Sequence, residues 1–243
     1  MNSQTQRQEE LRQQLEGVKA QIAATALRVN RRPEDITLVA VSKTHSAPVV
    51  QQAIASGVTD LGENRVQEAE TKIPVVGRTA ARWHLIGHLQ SNKARRAVEL
   101  FDVIHSLDSV TLARRLDRVC VELGREVLPV LIQVDLGHET TKSGASEKEL
   151  PEIVAAVRQS QTLRLTGLMT LPPYFDDPEQ ARPFFNRLRE LRDELRAHEA
   201  FGVGTGELSM GMTHDYQVAI EEGATIVRIG TAIFGARAAQ IQS

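Results

Sequence analysis

The sequence predicts an α/β protein, a (β/α)8 barrel of the TIM class preceded by one additional helix. Three observations point there. Apolar runs of strand length alternate with helical stretches eight times along 243 residues. Most of those runs are continuously apolar rather than alternating, as in strands covered by protein on both faces. No stretch rich in Pro, Gly and Ser divides the chain, so residues 1–243 read as one domain. A doubly wound open sheet shares the alternation, and counting elements does not separate the two.

Each element has its own signal. Leu11, Leu15, Val18, Ile22 and Val29 share one face of an opening helix over 4–29. The first strand is TLVAVSK (37–43), after which Ser46 and Pro48 start a helix that stops before Gly57. The second strand, DLGEN (60–64), leads into a helix over 66–72. WHLIGH (83–88) and DVIHSL (102–107) form strands three and four, followed by helices over 92–100 and, capped by Ser109, up to Leu123. Strand five is LPVLIQVD (128–135), and its helix opens on a capping box of Ser146 and Glu149. Strand six is RLTGLMTL (164–171). Asp177-Pro178 then starts a helix with Phe184, Phe185, Leu188, Leu191 and Leu195 on its core face. Strand seven is ELSMG (207–211), Thr213 is expected to cap the next helix, and strand eight is ATIVRIGT (224–231).

Composition excludes several classes. Hydrophobic residues make up 41%, charged residues 25% and aromatics 4%, with a net charge of −2. Such a balance gives no electrostatic footprint for nucleic acid. The polar start MNSQTQRQEELRQQ lacks a secretory apolar segment, and no run is long enough to span a bilayer. The lone Cys120 sits in the stripe Leu112, Leu116, Val119, Leu123 and reads as a core thiol. These features imply a cytoplasmic protein without membrane contact. With no unsatisfied apolar helix face evident, a monomer is expected.

Function in such barrels collects where the strands end. Those ends carry Lys43, Asn64, His88, Ser106, Asp135, Thr170, Ser209 with Gly211, and Arg228 with Gly230. Lys43 directly follows the apolar run LVAVS. Burial lowers an amine's pKa, and a neutral amine attacks an aldehyde to form a Schiff base. A strand-end lysine that snorkels into water fits the position equally well. The seventh and eighth strand ends, SMGM and RIGT, offer hydroxyls at Ser209 and Thr231. Gly211 and Gly230 there permit close backbone approach, as phosphate sites need, although glycines at strand ends also make plain turns. Arg228 shares strand parity with Gly230, which aims a guanidinium into the mouth; an internal ion pair is the competing explanation.

Longer stretches add specificity: AVSKT at Lys43, LGENRVQE at Asn64, WHLIGHLQSNK from Trp83, VDLGHETTKSG from Val134, GLMTLPP from Gly167, and LSMGMTHDYQVAIEEGATIVRIGTAIFGAR from Leu208. In this order, over nearly the whole chain, they resemble the pyridoxal phosphate homeostasis protein family, which is related to the barrel domain of alanine racemase. The resemblance implies that Lys43 carries pyridoxal 5′-phosphate as a Schiff base. It further implies that Ser209, Gly230 and Thr231 hold the phosphate, that Arg228 faces the pyridine nitrogen, and that Asn64 lines the cofactor. Two positions depart from the expected pattern, Asp135 in place of asparagine and Thr213 in place of serine. Lys142 in the HETTKSG loop reads as a solvated lysine.

The leading expectation is a non-catalytic module that carries or delivers pyridoxal phosphate to apoenzymes, within vitamin B6 and amino-acid homeostasis. The alternative is a pyridoxal-phosphate-dependent racemase or related enzyme in which His84 or Lys43 moves a proton. The resemblance to alanine racemase implies a second domain that supplies a catalytic tyrosine. Here the chain stops at Ser243, and its tyrosines, Tyr174 and Tyr216, do not match that role. A cofactor-free aldolase using Lys43 is a third option. A metal enzyme is weaker: His84 and His88 share strand parity, but no carboxylate is placed with them.

Overall fold

The computed structural model describes residues 3–137 and 143–235, and Lys142 lies outside them. Helix α1 (Ser3–Arg28) leads into β1 (Thr37–Val41), α2 (Ala47–Ala55), β2 (Asp60–Glu63) and α3 (Val66–Val76). β3 (Arg82–Leu85), α4 (Ala94–Leu100), β4 (Val103–Leu107), α5 (Val110–Glu122) and β5 (Leu128–Gln133) follow. The remaining units are α6 (Leu150–Arg158), β6 (Leu163–Met169), α7 (Arg182–Ala197), β7 (Glu207–Ser209), α8 (Tyr216–Glu221), β8 (Ile226–Ile229) and α9 (Thr231–Phe234). Neighbouring strands pair in parallel, and β1 also pairs with β8. The sheet is therefore a closed barrel rather than an open one.

Alternation along each strand creates two cores. Outward residues such as Ala40, Leu61, Trp83, Ile104, Ile132, Leu168, Leu208 and Val227 pack under the helices. Inward residues Val39, Val103, Leu131, Met169 and Ile226 form a separate, smaller cluster inside the barrel. The helix of the eighth unit, α9, has four residues, too few to cover the barrel at that point. α1 lies against α9, α8 and α2 and fills the ring there. Tyr216 donates its hydroxyl to Gln21 at 2.5 Å, and Arg31 reaches the carbonyl of Ile220 at 2.9 Å.

Local signals mostly hold, with instructive exceptions. Ser109 caps α5 through Leu112 N–H, and the Ser146–Glu149 capping box is formed. α3 runs past Lys72 to Val76 with Pro74 inside its last turn, where the ring removes one i→i−4 hydrogen bond. Every strand except β4 ends before its apolar run does, so Lys43, Asn64 and His88 stand on the loops that follow. Thr213 does not cap α8. Asp215 holds the N-cap position, and its carboxylate accepts the N–H of Met212 at 2.6 Å. A carboxylate two residues closer to the helix folds the loop back, which frees the Thr213 side chain.

Candidate functional site

A cavity of about 250 Å³ opens at the C-terminal mouth of the barrel. Its wall includes Lys43, Asn64, Arg228, Gly230 and Thr231, brought together from the ends of β1, β2 and β8. Those three strands are neighbours in the closed sheet.

Lys43 is placed by a rigid turn. The preceding Ser42 donates its N–H to Gly62 O at 3.0 Å and its hydroxyl to Glu63 at 2.6 Å. The following Thr44 has φ of 67°, a region that β-branched residues rarely visit. Its N–H is held by the Glu68 carboxylate at 2.9 Å, which fixes the turn. Behind the turn lies a pair the sequence did not flag. Lys72 Nζ donates to Glu63 Oε1 at 2.5 Å and to Ser42 O at 2.7 Å, with both side chains almost wholly buried. Burial pushes the Glu63 carboxyl up, and Lys72 and Ser42 oppose that shift. The pair ties α3 to the residues just before Lys43 and Asn64. A lysine beside Ile73 on the buried stripe of α3 was the available signal.

Asn64 carries a buried Oδ1 with no hydrogen-bond partner. Its backbone is wedged against Gly87, where an added Cβ would stand 2.2 Å from Asn64 O. Buried acceptors without donors are rare in folded proteins, and a ligand donor is a ready explanation.

Arg228 is 3% exposed, and both of its hydrogen-bond acceptors are neutral. Nη1 donates to Ser209 Oγ at 2.6 Å and Nη2 to Thr170 O at 2.9 Å. Burial pulls its pKa down to about 10, only partly offset by Asp215. The alternative of an internal ion pair therefore has no directly bonded carboxylate here. A guanidinium has five N–H groups, and these two bonds leave others for the cavity.

Ser209 is not on the cavity wall. It is fully buried, in register with Ile226 and Met169, two residues deeper along β8 than Arg228. Its oxygen is occupied by Arg228 and by His105 Nδ1 at 2.9 Å. The threonines that do line the wall are Thr213 and Thr231. Gly211 has φ of 90°, and a Cβ there would meet Ala219 at 2.6 Å, so its role is close packing on α8. At the last strand end, Gly230 caps α9, and the first-turn amides of a helix have no intrahelical acceptors. Val41, Ile86, Leu171, Met212, Tyr174 and His214 complete the wall. Strand parity with His84 was a usable signal for Ile86, as was parity with Met169 for Leu171; Tyr174, Met212 and His214 sit on loops that no periodicity reaches.

The two histidines of strand three separate. His84 is buried inside the barrel, bonded to Asp60 at 3.0 Å and His105 at 2.9 Å, and does not line the cavity. His88 is half exposed and pairs with Asp108 at 3.3 Å. Among the described residues, no group of three or more His, Cys, Asp or Glu side chains is placed to hold a metal. No described helix is long and apolar enough to cross a membrane. A larger cavity of about 400 Å³ lies at the other end, between α1 and the starts of β1 and β2. It brings no amine and cation together around an unpartnered acceptor, so the mouth is the better site.

The family model for the alanine racemase N-terminal domain matches residues 13–238. A protein of Aquifex aeolicus named pyridoxal phosphate homeostasis protein is 40% identical over 225 residues, covering 93% of this chain and 97% of its own. Its namesake in Escherichia coli K12 is 43% identical over 224 residues, covering 90% and 94%. The solved structure of PipY from Synechococcus elongatus PCC7942 with PLP bound superposes with a TM-score of 0.75 at 39% identity, over 88% of this chain and 100% of that one. This chain thus belongs to the pyridoxal phosphate homeostasis protein family, within the wider family of the alanine racemase N-terminal domain.

Proposed function

We propose that the protein binds pyridoxal 5′-phosphate at the barrel mouth as a Schiff base on Lys43. In this reading it carries or buffers the cofactor for dependent apoenzymes, as part of vitamin B6 and amino-acid homeostasis. One observation carries the reading: Lys43, the unpartnered Oδ1 of Asn64 and the buried Arg228 converge on one cavity. The names of the relatives and the bound PLP of PipY support it.

The wall residues fit such a ligand. Lys43 supplies the amine for an aldehyde, and Ile86, Leu171 and Met212 supply apolar faces for a ring. Gly230, Thr231 and Thr213 offer amides and hydroxyls to a phosphate, at the start of α9. Arg228 faces the ring nitrogen, and Ser209 acts from beneath by holding Arg228. When bound, pyridoxal phosphate supplies an electrophilic carbon and a ring that can accept carbanion charge. A donor-only guanidinium disfavours protonation of that ring nitrogen and weakens the second capacity. The chain is accordingly read as a binding module rather than an enzyme. A cytoplasmic location and a monomeric state are proposed with it.

Absorption spectra of the protein with pyridoxal phosphate, followed by borohydride reduction and peptide mapping, test this. A visible band and a pyridoxyl group on Lys43, both absent from Lys43→Ala, are expected. No band at saturating cofactor overturns the assignment. A second reading, amino-acid turnover, draws on Tyr174 and His214, whose rings lie 5.4 Å apart on the cavity wall. Exchange of a substrate's α-hydrogen with deuterated solvent would establish it; no exchange across a panel of amino acids would remove it.

A further inference from the structure

The Arg228–Ser209 contact is the end of a longer chain through the barrel interior. Ser209 Oγ meets His105 Nδ1 at 2.9 Å, and His105 Nε2 meets His84 Nδ1 at 2.9 Å. His84 Nε2 meets Asp60 Oδ1 at 3.0 Å, and Thr59 donates to the other Asp60 oxygen at 2.8 Å. His84, His105 and Ser209 are at most 1% exposed. Asp60 opens β2 at the N-terminal end of the barrel, where it lines the larger cavity beneath α1.

Proton counting gives this chain a direction. Arg228 can only donate, so Ser209 Oγ must accept from it. The Ser209 hydroxyl then has one satisfied use for its own proton, donation to His105 Nδ1. Were His105 protonated on Nδ1, the Ser209 proton would be stranded in a fully buried site, which is costly. A neutral His105 with a bare Nδ1 carries its proton on Nε2 and donates it to His84 Nδ1. His84 in turn donates from Nε2 to Asp60. Every link points from the guanidinium towards the carboxylate. The surroundings agree at both ends. Burial, then His84, Arg228 and Arg82, hold His105 well below the ordinary imidazole value. Burial alone would raise Asp60, but hydrogen bonds from His84 and Thr59 outweigh it and hold the carboxyl low.

We propose that His105 and His84, anchored by Asp60, are positioning residues: their one-way hydrogen-bond chain keeps the Ser209 oxygen turned to Arg228 and so fixes the guanidinium that faces the cavity. The inference rests on reading that cavity as the cofactor site, and extends it to residues that touch no ligand. Two measurements test it separately. In 15N-histidine-labelled protein without cofactor, near neutral pH, NMR is expected to show both histidines neutral, with Nδ1 bare and Nε2 protonated. A protonated Nδ1 on His105 overturns the proposal whatever the cavity binds. In cofactor titrations, His105→Leu is expected to bind pyridoxal phosphate about tenfold more weakly, the scale of one lost hydrogen bond. His105→Gln, whose amide oxygen accepts from Ser209 and whose N–H2 donates to His84, is expected to recover most of that loss. Equal binding by the two variants overturns the positioning role. Absence of binding by the native chain refutes the reading of the cavity, and the tautomer measurement then decides the chain by itself.

Discussion

The layer between strands and helices and the interior of the barrel are lined by alternate residues of the same strands, yet they differ in kind. The outer layer is a continuous apolar cluster that runs from Leu11 in α1 to Phe234 in α9. Its buried charge is neutralised at once, as with Lys72 and Glu63 at 2.5 Å. The interior is divided. Val39, Val103, Leu131, Met169 and Ile226 form an apolar patch, and beside it run Asp60, His84, His105, Ser209 and Arg228. The outer layer holds the fold together. The inner line leaves a cation with neutral partners at the mouth.

That contrast can be broken most forcefully in the outer layer. Lys72→Met leaves Glu63 buried without its cation, and unfolding in urea is expected to show a loss of about 3–5 kcal/mol. The double variant Lys72→Met, Glu63→Leu is expected to regain most of it, because removing both charges also removes their desolvation. A smaller effect is expected where the two layers meet at the mouth. Gly87→Ala drives a Cβ against Asn64 O, with about 1–3 kcal/mol lost and a weaker cofactor titration.

The inner line is sharpened by pH. His105 stays neutral well below its ordinary value near 6.5, while the unfolded chain protonates at that value. Between those limits the unfolded state binds the extra proton, so stability rises with pH and is lost as pH falls below about 6.5. The slope is expected to approach about 1.4 kcal/mol per pH unit for this group. Urea unfolding of His105→Gln across that range should be flatter; an identical slope would remove His105 as the cause. The smallest effect is expected at the surface. Arg182 pairs with Glu179, Glu221 and Glu222 within 2.8 Å, but it is a third exposed. Arg182→Ala should cost less than about 1 kcal/mol and fade in high salt.

Much of the fold was legible because its signals are local. Helix faces, the cap at Ser109 and the box at Ser146 are read within a few residues. Lys43, Asn64, Arg228, Gly230 and Thr231 were legible for a related reason: each stands at or beside the end of an apolar run, and barrel mouths gather such ends. Ser209 shows the limit. Its place at the end of strand seven was legible, but its depth depends on register with Ile226 and Met169 on other strands. Thr213 was misread for a similar reason, since a cap is settled by loop geometry and Asp215 reached the position instead.

By itself, then, the sequence determined the order of elements, the outer core and which side chains face inward, since periods of 2.0 and 3.6 are properties of short segments. The tertiary structure decided which inward groups meet. Asp60, His84, His105, Ser209 and Arg228 come from five strands, and Lys72 meets Glu63 across a helix and a strand. Closure and register of the barrel set those meetings, and each depends on residues far away along the chain.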